Sequence, residues 1–174
     1  VDKTLATLDK TAEIRDTIDK LLTRNRIFMD RTRGVATVSR EDACEYGYTG
    51  PCLRASGEPY DVRKAAPYLV YDRLEFDVPV GTRGDNFDRY LMRMEEMRQS
   101  DRMLRQCFQK MEPGDIAVRD FRYVLPPKPL VYGTIEGAMA HFKIIMEGIK
   151  VPAGEAYAST EAANGELGFY TVST

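Results

Sequence analysis

Residues 85–114 read DNFDRYLMRMEEMRQSDRMLRQCFQKMEPG, and this stretch decides the fold class. Asp85, Asn86 and Asp88 suit a helix N-terminus, Lys110 suits a C-terminus, and Pro113-Gly114 forbids continuation. Between these ends Phe87, Tyr90, Leu91, Met94, Met97, Leu104, Phe108 and Met111 recur at heptad-like spacing. The pattern predicts a helix over 85–111, which at about 1.5 Å per residue is about 40 Å long. In a chain of 174 residues such a rod needs neighbours along its whole length. Asp101 falls on its apolar side, where a lone carboxylate is costly, so a partner such as Arg105 is expected.

Working outward toward the N-terminus, Leu74 to Val80 alternates apolar and acidic residues, as a short strand or extended run does. Gly50 to Tyr71 contains Pro51, Gly57, Pro59 and Pro67, and reads as an ordered loop with short extended pieces. Ser39 begins a short helix, with Asp42 at capping-box spacing and Gly47 at its end. Arg24 to Arg33 reads as a basic, irregular connector before Gly34. Residues 1–24 form an amphipathic helix, its stripe carried by Leu5, Leu8, Ala12, Ile14, Ile18, Leu21 and Leu22, with Asn25 as its stop. Toward the C-terminus, Pro126-Pro127-Lys128-Pro129 is a connector, and Thr134 caps a helix ending near Gly148. Glu155 to Val172 is a hairpin, with Asn164-Gly165 as the positive-φ pair of a type I′ turn. The expected organisation is mainly α: a helical portion over 1–150, with an Arg-bearing loop at 50–72, then a β-hairpin over 151–174 that starts a further small β region.

Composition narrows the function classes. Charged residues are 30% of the chain but nearly cancel, to a net charge of -2, which argues against general nucleic-acid binding. Cys44, Cys52 and Cys107 make no CxxC pair, and His141 alone cannot complete a four-ligand set, so no metal site is expected within the chain. Three scattered cysteines suit a reducing compartment. No apolar run reaches the roughly 18 residues of a membrane span. The chain opens at Val1, already in helix, and stops at Thr174 directly after strand-like residues, so a piece of a longer polypeptide is expected.

The candidate chemistry concentrates in Gly50-Pro51-Cys52-Leu53-Arg54-Ala55-Ser56-Gly57, followed by Asp61-Val62-Arg63-Lys64. Glycine and proline fix the backbone there, so the guanidiniums of Arg54 and Arg63 can be held still. A held guanidinium recognises carboxylates or phosphates in two-pronged fashion, or raises the potential of a nearby redox centre by its fixed charge. The plainer alternative pairs Arg63 with Asp61 or Asp72 and packs Tyr68 and Tyr71. His141 reads as a helix-packing or surface residue, and Met92, Met94, Met97, Met103 and Met111 as core filler. Arg89, Arg93, Arg98, Arg102 and Arg105, interleaved with Glu95 and Glu96, read as a solvated or subunit-facing surface. No nucleophile, base and oxyanion hole assemble, and Gly81-Thr82-Arg83-Gly84 is too short for a dinucleotide fingerprint.

Asn25-Arg26-Ile27-Phe28, the whole 50–57 run, Tyr60-Asp61-Val62-Arg63-Lys64, Pro67-Tyr68 and Val70-Tyr71-Asp72 resemble the quinone-side D subunit of bacterial respiratory complex I, the NADH:quinone oxidoreductase. Phe76-Asp77-Val78-Pro79-Val80-Gly81, Asp88-Arg89-Tyr90-Leu91, Arg93 through Ser100, Val151-Pro152-Ala153-Gly154 and Gly165-Glu166-Leu167-Gly168 extend the resemblance over nearly the whole chain. The resemblance implies an internal fragment with the helical core of the nickel–iron hydrogenase large subunit. It also implies a place beside the small subunit that carries the terminal iron–sulfur cluster, other peripheral-arm subunits, and a shared quinone cavity at the cytoplasmic face of the bacterial inner membrane. NADH, FMN and the clusters would sit on other subunits, with no cofactor on this chain. The family's quinone-binding His and Tyr lie on the N-terminal side of this region, so no catalytic residue is expected here. Arg54, Ser56, Asp61 and Arg63 become candidates for an ordered bend near the cluster or the subunit interface. The chain departs from the family at Ala140-His141, where two histidines are frequent, and at Asp101, where an apolar residue is usual. A membrane-bound nickel–iron hydrogenase large subunit and a non-catalytic helical interaction module are the alternatives.

Overall fold

Asp85 caps the long helix: its carboxylate accepts the Asp88 N–H at 2.8 Å, and the helix runs Asn86–Lys110. It is α6 of eight α-helices in the computed structural model, which describes residues 1–174. Before it come α1 (Asp2–Leu22), α2 (Arg26–Thr32), α3 (Arg40–Glu45), α4 (Gly50–Ala55) and α5 (Val62–Ala65). After it come α7 (Lys128–Gly133), α8 (Ile135–Glu147) and a two-stranded hairpin of β1 (Gly154–Ala162) and β2 (Gly165–Ser173). The residues divide into two compact units, 1–111 with 158–169, and 112–157 with 170–174.

In the first unit α6 is the spine. Phe87, Met94 and Met103 are its buried apolar residues, whereas Met97, Leu104 and Met111 are exposed, so the stripe read from the sequence is only partly turned inward. α1 lies antiparallel to it, since Asp9 pairs with Arg105 at 2.7 Å, Asp19 with Arg98 at 3.1 Å, and Thr23 bonds Tyr90 at 3.0 Å. No residue of α1 is fully buried. Asp101 meets Arg105 at 3.1 Å, the expected partner.

The extended run 74–80 has no strand neighbour and uses α6 side chains instead. Gln106 accepts from the Glu75 N–H and donates to the Glu75 carbonyl; Gln99 accepts from the Asp77 N–H. Lys110 donates to the Arg73 carbonyl. Two extended residues advance about 6.6 Å and four helical ones about 6 Å, which matches the step from Lys110 to Gln106 and on to Arg102, whose guanidinium meets the Asp77 carboxylate; Gln99 reaches the Asp77 N–H from one turn further along. Leu74 and Phe76 thereby bury against Met103.

Three stretches read as irregular are helical. Arg26–Thr32 is α2, and Asn25 begins it by accepting the Phe28 N–H, rather than ending α1. The 50–72 stretch is α4, α5 and a 3-10 turn at Tyr71–Arg73. Lys128–Gly133 is α7. Pro51 and Pro129 occupy first-turn positions, where the N–H that proline lacks has no intrahelical partner anyway. Ser39 and Thr134 cap α3 and α8 through the N–H groups of Asp42 and Gly137, and Gly148, at φ 69, closes α8. The hairpin turn holds Ala163 and Asn164 between the strands, and of the expected positive-φ pair only Gly165 has it, at φ 133. In the second unit α7 and α8 form a helical hairpin, tied by Thr134, whose hydroxyl also donates to the Leu130 carbonyl.

Candidate functional site

α4 begins where Gly50 takes φ 65 and ends at Ser56, and this single turn and a half points Arg54 inward. Its guanidinium is 1% exposed. Nε and Nη2 both donate to Glu96 Oε1 on α6, the Nε bond at 3.0 Å. Nη2 also donates to Glu161 Oε1 on β1 at 2.9 Å, and Nη1 donates to the Tyr60 carbonyl at 2.9 Å with Asp61 Oδ2 3.6 Å away. The fork's donors are thus matched by acceptors from three segments of chain, α6, β1 and residues 60–61.

Asp61 caps α5 by accepting the Arg63 N–H, and its two oxygens take Arg63 Nε at 2.9 Å and Nη2 at 2.6 Å. Burial works against the charged form of Asp61, yet the bonds and charge of Arg63, with the charge of Arg54 behind them, hold its carboxyl below the ordinary 3.8. Burial likewise opposes the charge on Arg63, and Asp61 and Glu161 overcome it, moving the guanidinium upward. The same guanidinium lies over the Phe76 ring, 4.9 Å from its centroid. Tyr71 beside it is pushed up, by burial first and by Tyr68 second.

Of the four candidate residues, Arg54, Asp61 and Arg63 come together. Ser56 is set apart: its hydroxyl donates to the Val38 carbonyl at 3.0 Å and contacts the Cys52 carbonyl at 3.4 Å, closing the end of α4. Arg63 chooses Asp61 rather than Asp72. Sequence reasoning misses Glu96 and Glu161. Spacing alone groups Glu96 with Glu95 on a solvated face, but only Glu95 is there, pairing with Arg98. A helix turn of about 100° per residue separates the two, and the burial of Leu53 and Arg54 opposite decides which faces in. Glu161 lies 107 residues from Arg54, and no local pattern announces it.

A second hub sits at the start of α6. Asp88 accepts from Thr82 and Arg83 N–H, while Asp85 accepts from Gly34 and Asp88 N–H. Burial disfavours the Asp85 charge, but those backbone donors win and hold it below its usual range. Gly81 and Gly84 donate to the carbonyls of Arg54 and Ala55, so α4 is anchored to the same hub. Together the two hubs clamp the 50–63 bend on both sides. Chemically this is a fixed array in which each guanidinium is held by the chain's own carboxylates, and it keeps the backbone in place.

The hairpin tip completes the bend. The Gly50 and Gly165 backbones pass so closely that a Cβ on either would collide with the other side, and Thr49 Oγ1 accepts the Glu166 N–H at 3.0 Å. Cys44, Cys52 and Cys107 are all free, and no group of three or more His, Cys, Asp or Glu is arranged to hold a metal ion. No helix is long and apolar enough to cross a membrane.

Residues 1–174 match the family model described as respiratory-chain NADH dehydrogenase, 49 Kd subunit. The chain is 76% identical over 173 residues to the NADH-quinone oxidoreductase D subunit numbered 2 of Anaeromyxobacter sp. (strain Fw109-5), covering 99% of this chain and 40% of that protein. It is 63% identical over 167 residues to the NADH-quinone oxidoreductase D subunit of Myxococcus xanthus (strain DK1622), covering 96% and 40%. It is 52% identical over 172 residues to the C/D subunit of Bdellovibrio bacteriovorus, covering 99% and 31%. The chain therefore spans about 40% of the length of the D-subunit relatives it matches.

Proposed function

The chain belongs to the 49 kDa subunit family of the respiratory-chain NADH dehydrogenase, and from that premise we propose that it is scaffold of the quinone-side subunit of an NADH:quinone oxidoreductase. The single observation that carries this reading is the whole-length family match, joined to a bend whose arginines are matched by the protein's own carboxylates. A guanidinium in that state positions backbone and does not wait for a substrate.

In this reading the helices belong to a core of the hydrogenase large-subunit type. Residues 50–63 stiffen the side of the subunit that meets the cluster-bearing small subunit, with Arg54, Ser56, Asp61 and Arg63 as positioning residues. Quinone is reduced in a cavity shared with that neighbour. NADH, FMN and the iron–sulfur clusters are held by other subunits, and the assembly projects from the cytoplasmic face of the inner membrane as part of the peripheral arm. The relatives' printed names support the oxidoreductase class directly.

The test is Arg54→Met in the intact complex. Quinone reduction by NADH should fall together with the yield of assembled complex, because three carboxylates lose a shared partner. Wild-type turnover with wild-type cluster signals in that variant would remove the positioning role. Two CxxC pairs near the ends of the full-length subunit would instead favour the hydrogenase alternative.

A further inference from the structure

The buried charge array does not balance. Two guanidiniums, Arg54 and Arg63, face three carboxylates, Asp61, Glu96 and Glu161. Arg63 is committed to Asp61, and the remaining charge of Arg54 is shared by Glu96 and Glu161. Glu161 is only 4% exposed and Glu96 17%, so water screens them poorly. Lys64, the other cation on α5, is directed onto the Phe76 ring, 4.2 Å from its centroid. One negative charge remains in a low-dielectric setting, which is costly unless a cation joins it.

That surplus lies on the wall of a cavity of about 530 Å³ whose other walls, Ser100 apart, are mainly apolar, among them Leu69, Tyr71, Leu74, Met103 and Leu104. Leu69 stands 87% exposed and takes φ 52, a left-handed conformation that a large side chain rarely adopts. An apolar slot ending in one unbalanced carboxylate charge is complementary to one kind of protein group: a basic side chain, whose methylenes pack along the walls while its head reaches the acids. A bare metal ion would leave the apolar walls uncovered.

We propose that the cavity seats a segment of the same polypeptide lying outside residues 1–174, which inserts a single Lys or Arg against Glu96 and Glu161. Arg54, Asp61 and Glu161 are buried as deeply as a chain interior, and the matched region is only about 40% of its relatives' length, so the polypeptide that would supply the segment exists in the family. This inference does not depend on the quinone reading, and it survives if Arg54→Met leaves turnover untouched.

The experiment uses the full-length subunit in its complex, with a photo-reactive phenylalanine analogue in place of Val70 at the cavity. Irradiation and peptide mapping should give one dominant cross-link, within the same subunit, to a peptide bearing Lys or Arg among apolar residues. A cross-link only to a different subunit, only to peptides without a basic residue, or to no peptide overturns the proposal. Should the replacement prevent assembly, the structure of the unmodified complex decides. A Lys or Arg nitrogen from the same chain but outside residues 1–174, within about 4 Å of a Glu96 or Glu161 oxygen, supports the proposal. Water alone, a small molecule or a neighbouring subunit's side chain at that place refutes it.

Discussion

Arg54 is the residue on which the charge array between α4, α6 and β1 depends, because Glu96, Glu161 and the Tyr60 carbonyl all rely on its donors. Removing one partner of a buried ion pair costs about 3–5 kcal/mol, while removing charges together costs far less. Arg54→Met should therefore lower the unfolding free energy by about 3–5 kcal/mol, and Arg54→Met with Glu96→Leu should recover part of that loss. Urea denaturation of both variants checks the coupling; strictly additive losses would mean the two residues do not act as a pair. Asp61 gives a separate pH signature. Its folded carboxyl sits below the ordinary 3.8, so the folded state holds that proton less tightly than the unfolded chain does. The resulting stabilisation is complete above about pH 4 and is lost as pH falls through the folded value. Asp61→Asn keeps an acceptor for the Arg63 N–H but cannot titrate, so its stability should fall less steeply on acidification below about pH 4 than the wild type's. Parallel acid limbs would assign the effect to Asp85 and other carboxylates.

Elements hold together here through side chain to backbone contacts as much as through apolar packing. Gln99 and Gln106 stand in for a missing strand along residues 74–80. Gln106→Ala leaves the Glu75 amide and carbonyl without their partner, at about 1 kcal/mol for each bond lost in so exposed a place. Hydrogen exchange at the Glu75 amide should speed accordingly, and unchanged protection would show that the run is held by Leu74 and Phe76 alone. Capped helices are legible from sequence, since Ser39, Asp85 and Thr134 each bond a backbone N–H three residues on, a local relation. The helices that carry Pro51 and Pro129 in their first turns are not, because a proline fits a helix start and a loop equally well. Asn25 misleads for the same reason: the residue that can close one helix can also open the next. Arg54, Asp61 and Arg63 stand out through their rigid, charged surroundings. Glu96 and Glu161 do not, as their inward turn is fixed only once β1 and α6 pack on α4.

At the scale of the whole chain, the hairpin belongs to both units: residues 158–169 at its tip fall in the first and its base in the second. The chain thus enters the second unit at Glu112 and returns to the first through the hairpin. The tip is fastened by the Glu161 N–H donating to Tyr68, the Glu166 N–H donating to Thr49, Arg93 donating to Asn164, and the Arg54–Glu161 pair. Each such bond contributes about 1 kcal/mol, with more for the buried ion pair, and the Gly50–Gly165 approach allows all of them to form at once. Residues 111–119 are exposed throughout, so brief trypsin treatment should cut after Arg119. The nicked pieces, 1–119 and 120–174, should still co-elute from a sizing column in native buffer and separate in urea. Gly165→Ala places a methyl against Thr49 at φ 133. Backbone strain of that kind costs about 1–3 kcal/mol before the collision is counted. After the same cut, the variant's pieces should therefore part without denaturant. Wild-type pieces that separate in native buffer would show that only the covalent chain, and not the docked tip, joins the hairpin to α4.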